Sequence, residues 1–114
     1  MALIYKIVTT QEWAAALATG LFVGSAVDLT DGFIHFSTQA QVEDTAARHF
    51  AGKEGLLLVG VEEENLGPAL VYEVSRGGAL FPHLYAPLST ALARFALPLP
   101  LRADGAHDFA GIFA

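Results

Sequence analysis

The sequence predicts a single α+β domain built on a mostly antiparallel or mixed sheet. Three observations carry that reading. Helix signals are confined to the first half of the chain, between Thr9 and Phe50. Strand signals open the chain and dominate its second half. The resulting order, β-α-(loop)-β-α-β-β-(loop)-β, lacks the regular alternation of a doubly wound parallel sheet. With 114 residues and no internal repeat, residues 1–114 read as one domain.

Leu3 to Val8 is aliphatic apart from Tyr5 and Lys6, which predicts a first strand. Thr9 and Glu12 have capping-box spacing, so a helix is expected to start there and to stop at Gly20. Trp13, Ala14 and Leu17 share one face of it. Leu21 to Asp28 reads as an apolar loop, followed by a turn at Asp31-Gly32. Phe33 to Phe36 is a short strand whose alternation sets Phe33, His35 and Ser37 opposite Ile34 and Phe36. Thr38 with Gln41 forms a second capping box, Ser37 being an equally good cap. The helix after it points Val42, Ala46 and Phe50 inward and ends by Gly52.

Leu56 to Val61 is a continuous aliphatic run, which predicts a strand buried on both faces. Asn65 to Pro68 turns the chain into a strand over Ala69 to Val74, with Glu73 and Val71 on one face and Tyr72 on the other. The Phe81–Pro87 segment carries two prolines and reads as a structured loop. Ala91 to Leu97 is the last strand, ended by Pro98 and Pro100. The tail supplies Phe109, Ile112 and Phe113 to dock on the body.

Composition narrows the function classes. The chain is 54% hydrophobic and only 16% charged, so one face is expected to line a cleft or meet a partner, a homodimer being one form of it. Its net charge is −6, and Lys6, Arg48, Lys53, Arg76, Arg94 and Arg102 are scattered, which argues against nucleic acid as a main partner. The absence of cysteine excludes disulfides, thiolate chemistry and cysteine-ligated zinc. Met1 to Lys6 lacks a basic region followed by a long apolar run, and the Leu56–Val61 run is too short to span a bilayer. A cytoplasmic protein without membrane contact is expected.

Two stretches carry candidate chemistry: Asp31-Gly32-Phe33-Ile34-His35-Phe36-Ser37 and Phe81-Pro82-His83-Leu84-Tyr85-Ala86-Pro87-Leu88. Each sets a histidine among large apolar residues and adds a hydroxyl two positions later. A polar group in an apolar segment needs a partner, so two such segments in one small domain point to a shared polar pocket. Each residue also has a plain structural reading. His35 could be a core histidine bonded to backbone, Ser37 a helix cap, and His83 part of a rigid proline turn. Glu73 lies mid-strand and could sit on a solvated face or in a cleft, where a carboxylate serves as a base or stabilises a cationic sugar. Lys6 could reach a phosphate, pair with Glu73 or extend to water. His35, His83, Glu73 and Asp31 are possible metal ligands by type, but no His-x-x-x-His or His-x-His spacing is present, and no metal is expected.

These segments, with Ile4-Tyr5-Lys6-Ile7, Trp13 followed by Gly20, Gln41 and Glu73, resemble a family of small, mostly bacterial proteins of unknown function. The likeness runs from about Ile4 to Leu97. That family looks distantly similar to the ADP-ribosyltransferase and RNA 2′-phosphotransferase fold, a split and strongly bent sheet with a nicotinamide-nucleotide cleft. The resemblance implies a transferase or hydrolase acting on a ribosyl or nucleotide substrate, with NAD or a related nucleotide in the cleft. His35 and Ser37 would line its second strand and Glu73 would be the late carboxylate. Lys6 stands where the family usually has histidine; a lysine cannot copy the imidazole's donor–acceptor role, though its cation could hold a phosphate. Glu73, His35 and His83 are thus the catalytic candidates. Lys6, Ser37, Tyr85, Tyr5 and Trp13 are the ligand-binding ones, the aromatic rings by stacking on a base. The alternative is a non-enzymatic module that binds a small metabolite or a protein, with both histidine motifs serving the architecture.

Overall fold

The computed structural model describes residues 2–113. Its first sheet has the order β1-β4-β8, all antiparallel: β1 (Leu3–Thr9) pairs with β4 (Leu56–Glu62), and β4 with β8 (Ala93–Pro98). A second sheet sets β6 (Leu80–Leu84) between β3 (Ile34–His35) and β5 (Leu70–Val74). A two-residue ladder joins β2 (Leu21–Phe22) to β7 (Leu88–Ser89). The two larger sheets meet at one bridge, where Tyr5 and Ser37 exchange N–H···O bonds of 2.8 and 2.9 Å. Among the described residues no other pairing joins them, so the fold is a split antiparallel sheet.

Strands β1 and β4 are buried on both faces because their apolar residues alternate to either side, while β8 at the edge is half exposed. Ile4 and Val8 of β1, with Val59 and Val61 of β4, join Trp13, Phe22, Ile34, Phe36, Leu84 and Leu88 in one core. Tyr5 and Ile7, with Leu56 and Leu58, face a second core formed with Val42, Ala46, Leu99 and Phe109. The tail expected to dock does so: Phe109 is buried, and Ile112 and Phe113 of α4 (Ala110–Phe113) pack beside it. No helix among the described residues is long and apolar enough to cross a membrane.

Helix α1 (Thr10–Thr19) carries the expected capping box, Thr9 Oγ1 accepting from the Glu12 N–H at 3.0 Å and Glu12 Oε1 from the Thr9 N–H at 2.8 Å. Gly20 closes it at φ 86°, a conformation glycine adopts without steric cost. Its buried face is Trp13 and Ala16; Ala14 and Leu17, expected to share the Trp13 face, are exposed, Leu17 by 58%, because the helix docks through the i, i+3 pair. Helix α3 (Gln39–His49) is capped at Thr38, whose N–H donates to Gln41 Oε1. The Ser37 hydroxyl instead bonds Thr45 Oγ1 at 3.1 Å.

Two segments correct the sequence reading. The expected apolar loop over Leu21 to Asp28 contains β2 and the start of helix α2 (Ala26–Asp31). Ser25 and Asp28 form its N-terminal box, with the Ser25 N–H and hydroxyl both donating to Asp28 Oδ2 at 2.9 and 3.0 Å, and Gly32 closes it at φ 86°. The proline-bearing segment read as a loop begins inside β6, the central strand of its sheet. Pro82 is accommodated because its polar backbone edge faces β3: its carbonyl accepts from the Phe36 N–H at 2.9 Å. The missing N–H shares that edge, so the β5 ladder, in which Pro82 pairs with Tyr72, loses no bond, and the regular β3 ladder ends at His35. The last strand begins at Ala93, two residues later than expected, because Thr90–Leu92 forms a 3₁₀ turn.

Gly60 lies against Phe95 at the register shift between β4 and β8, where an added Cβ would approach the ring carbons at 2.6–3.0 Å. Gly60→Ala is expected to lower stability by about 1–3 kcal/mol, read from the urea midpoint, and Phe95→Leu in the same chain to recover part of the loss.

Candidate functional site

Three elements deliver their polar groups to one buried carboxylate. Lys6 shares a face of β1 with Ile4 and Val8, and so points inward. Its ammonium donates to Asp28 Oδ1 at 3.0 Å and lies 2.9 Å from Oδ2. His35 of β3 donates its backbone N–H to Asp28 Oδ1 at 3.1 Å, and its ring Nδ1 lies 2.6 Å from the same oxygen. Ser25 closes the other side from the head of α2. The side chain of Asp28 is 1% exposed. Burial opposes its ionisation, but the His35 hydrogen bond and the Lys6 ammonium outweigh burial and hold the carboxyl well below the usual carboxylate range. Burial pulls the Lys6 pKa down, against the opposing pull of Asp28.

Lys6 therefore pairs with Asp28, neither with Glu73 nor with water. Sequence reading missed Asp28 altogether, because it sat at the end of a presumed loop. The available signal was the Ser25-x-x-Asp28 spacing of a capping box. Asp31, at the end of α2, holds the other ring nitrogen of His35, Oδ2 to Nε2 being 3.0 Å.

The second histidine lies directly across the ladder. His35 and His83 are register partners of β3 and β6, and their ring centroids are 5.4 Å apart. His83 Nδ1 is 2.8 Å from Glu73 Oε1, and the Tyr85 hydroxyl donates to that same oxygen at 2.7 Å. β5 brings Glu73 there because its register sets Val71 against His83 and Glu73 two residues along the same face. The hydrogen bond from Tyr85, then that from His83, lowers the Glu73 pKa, and the Tyr85 pKa is raised by the same contact. Phe33 stacks on the His83 ring at 4.1 Å and 26°, and also touches His35 at 4.5 Å.

A cavity of about 520 Å³ opens between the two sheets beside their single bridge. Lys6, His35, Ser37, Thr45, His49 and His83 give it polar walls, and Tyr5, Phe36, Phe50 and Phe81 give it apolar ones. Of the candidate residues, Lys6, His35, Ser37, His83 and Tyr5 meet there. Glu73 and Tyr85 stand outside that lining and reach it through His83; Tyr85 is 48% exposed and borders a smaller hollow with Phe33 and Asp28. Trp13 does not reach the cavity. It is buried against Phe22 in the first core, 6.2 Å between centroids, so its indole is spent on packing and is closed to stacking on a ligand. Tyr5 is likewise largely occupied, packed edge-on against Phe113. Among the described residues, no group of three or more potential ligating side chains could hold a metal ion.

The arrangement can bind a small molecule between aromatic walls and offer it hydroxyl and imidazole groups. It can also move a proton through an imidazole backed by a carboxylate. Lys6 contributes little net field to an anionic ligand, because Asp28 neutralises it.

Removing the carboxylate isolates the Lys6 ammonium in a buried site. Asp28→Asn is expected to cost about 3–5 kcal/mol in chemical denaturation, and Lys6→Met with Asp28→Asn to cost less than the sum of the two single changes. The pH dependence has a definite sign. A carboxyl whose folded pKa is depressed stabilises fully above its unfolded value, near 3.8, and loses that stabilisation as pH falls through the folded value. The native chain is thus expected to lose stability below about pH 4 more steeply than Asp28→Asn, measured as urea midpoint against pH.

The comparisons with known proteins agree with this architecture. No curated protein matches the chain. A crystal structure of protein CC0527 from Caulobacter crescentus is 51% identical, covers 96% of each chain and superposes with a TM-score of 0.92. The solution NMR structure of CC0527 is also 51% identical, covers 100% of this chain and 98% of the other, and gives a TM-score of 0.90. The family model described as "Protein of unknown function (DUF952)" matches residues 7–93, which hold both histidine motifs, Asp28 and Glu73. The chain belongs to the DUF952 family.

Proposed function

We propose that this protein binds a nucleotide-sized ligand in the cavity between its two sheets and acts on it as a transferase or hydrolase of a ribosyl or nucleotide substrate, NAD or a related nucleotide being the candidate. The observation that carries the reading is the convergence of His35, His83, Ser37 and Tyr5, from three strands and a connecting segment, on one cavity of about 520 Å³. Sites for small molecules typically occupy roughly 300–1,000 Å³ and combine apolar walls with a few placed polar groups. A sheet split at one bridge, with a cleft beside it, also accords with an ADP-ribosyltransferase-like fold, and the absence of cysteine accords with the cytoplasm.

In this reading the aromatic walls receive a base, and the hydroxyl of Ser37 meets a ribose hydroxyl. Cleavage at the anomeric carbon develops positive charge on the sugar ring, which a carboxylate stabilises electrostatically. Glu73 is the carboxylate of the constellation, acting across His83. Lys6 serves the site by holding Asp28 and so His35.

Titration with NAD, ADP and AMP tests the reading. A nucleotide at a hundred times its Kd is expected to raise Tm by on the order of 10 °C. It is also expected to shift the amide signals of His35, Ser37 and His83 in heteronuclear NMR. Binding without cleavage of a glycosidic or phosphoester bond supports the non-enzymatic metabolite-binding module instead. No stabilisation by any nucleotide, or shifts confined to other surfaces, contradicts the nucleotide reading and favours a module that binds another metabolite or a protein.

A further inference from the structure

We propose that Glu73 and Tyr85 are positioning residues that hold His83 as its Nδ1–H tautomer, so that the bare Nε2 is the proton acceptor of the cavity, while His35 is a fixed wall that carries no proton to substrate. The assignment of the tautomer rests on geometry alone; only its use in turnover rests on the function proposed above.

An ionised carboxylate accepts hydrogen bonds and donates none. Glu73 Oε1 faces two groups, the Tyr85 hydroxyl at 2.7 Å and His83 Nδ1 at 2.8 Å, so both must supply the proton. A neutral imidazole with its proton on Nδ1 has its lone pair on Nε2. No described group bonds Nε2, and the ring lines the cavity. Phe33 closes one face of the ring, and only 6% of the side chain is exposed, so the imidazole has little room to turn. His35 offers the opposite arrangement. Its Nδ1 lies 2.6 Å from Asp28 and its Nε2 3.0 Å from Asp31, so both nitrogens already face carboxylates of the chain. Two histidines that look equivalent in the sequence thus have different work.

The step this permits is general-base activation. The O–H bond of a substrate hydroxyl or a water breaks, the proton passes to Nε2, and the electron pair stays on the oxygen as it attacks an electrophilic carbon. The leaving group departs with its bonding pair and takes the proton back from Nε2. Glu73 stabilises the imidazolium between the two transfers, as a carboxylate does behind any such base.

The test uses the full chain labelled with ¹⁵N-histidine, without ligand, in buffer alkaline enough for neutral imidazole. Long-range ¹H–¹⁵N correlation reads which ring nitrogen of His83 is protonated, the signal being assigned by its loss in His83→Asn. The expected result is a pyrrole-type Nδ1 and a pyridine-type Nε2, opposite to the tautomer that free histidine favours. Glu73→Ala is expected to lower the Nδ1–H to Nε2–H ratio about tenfold or more, and Tyr85→Phe to move the His83 ring signals while leaving those of His49 and His107 in place. A wild-type His83 that is Nε2–H, or that averages both tautomers, overturns the proposal. So does a ratio unchanged in a folded Glu73→Ala protein. If that variant is unfolded, the wild-type spectrum alone decides. Because no nucleotide is present, failure of nucleotide binding leaves this result untouched, and failure here leaves the titration to be judged separately.

Discussion

The carboxylate of Asp28 lies in the interior with Lys6, His35 and Ser25 all directed at its two oxygens. Moving one such ion out of water costs several kcal/mol, and attraction to a buried ammonium offsets that cost only when the remaining hydrogen-bonding capacity is also filled. Here it is filled from three separate segments. The constraint is therefore one of geometry more than of net stability: β1, α2 and β3 must come to the same point, or a charge is stranded. Once they do, β3 lies beside β6, His35 stands opposite His83, and the second sheet leaves the first at the Tyr5–Ser37 bridge.

The hydrophobic cores work around this point. Alternation along β1 sends Ile4 and Val8 to one core and Tyr5 and Ile7 to the other, and Lys6 shares the parity of the first pair. The Lys6 side chain is only 8% exposed, so its ammonium needs a partner inside the fold. Helix α2 exists to supply one. Its single turn and a half is too short to be stable by its own propensity, and its burial is chiefly that of Asp28. The cavity follows from the split: with the sheets joined by one bridge, side chains of both line a space that neither fills.

Much of this was legible in the sequence, for reasons that can be named. The helix ends at Thr9, Gly20 and Thr38 were readable because caps are local chemistry, and the strand at Leu56 because its apolar run has no polar face. The nearness of the two histidine motifs was legible because isolated polar groups in apolar segments must be answered, and His35 and His83 do stand opposite each other across the ladder. What was hidden was long-range. The pairing of Lys6 with Asp28 spans 22 residues and depends on which way α2 turns. β6 was hidden by Pro82, since whether a proline fits a central strand depends on which neighbour its missing N–H faces. Trp13 looked equally suited to stacking or to packing, and only the position of Phe22 decides.

If Asp28 holds the seam between the sheets, native-state hydrogen exchange of the Asp28→Asn protein reveals it amide by amide. The amides of Tyr5 and Ser37, which form the bridge, are expected to lose more protection than those of Leu58 and Val59 within β4, because the seam opens before the first sheet does. Equal loss at all four amides would mean that the carboxylate stabilises the molecule uniformly and does not hold the two sheets together.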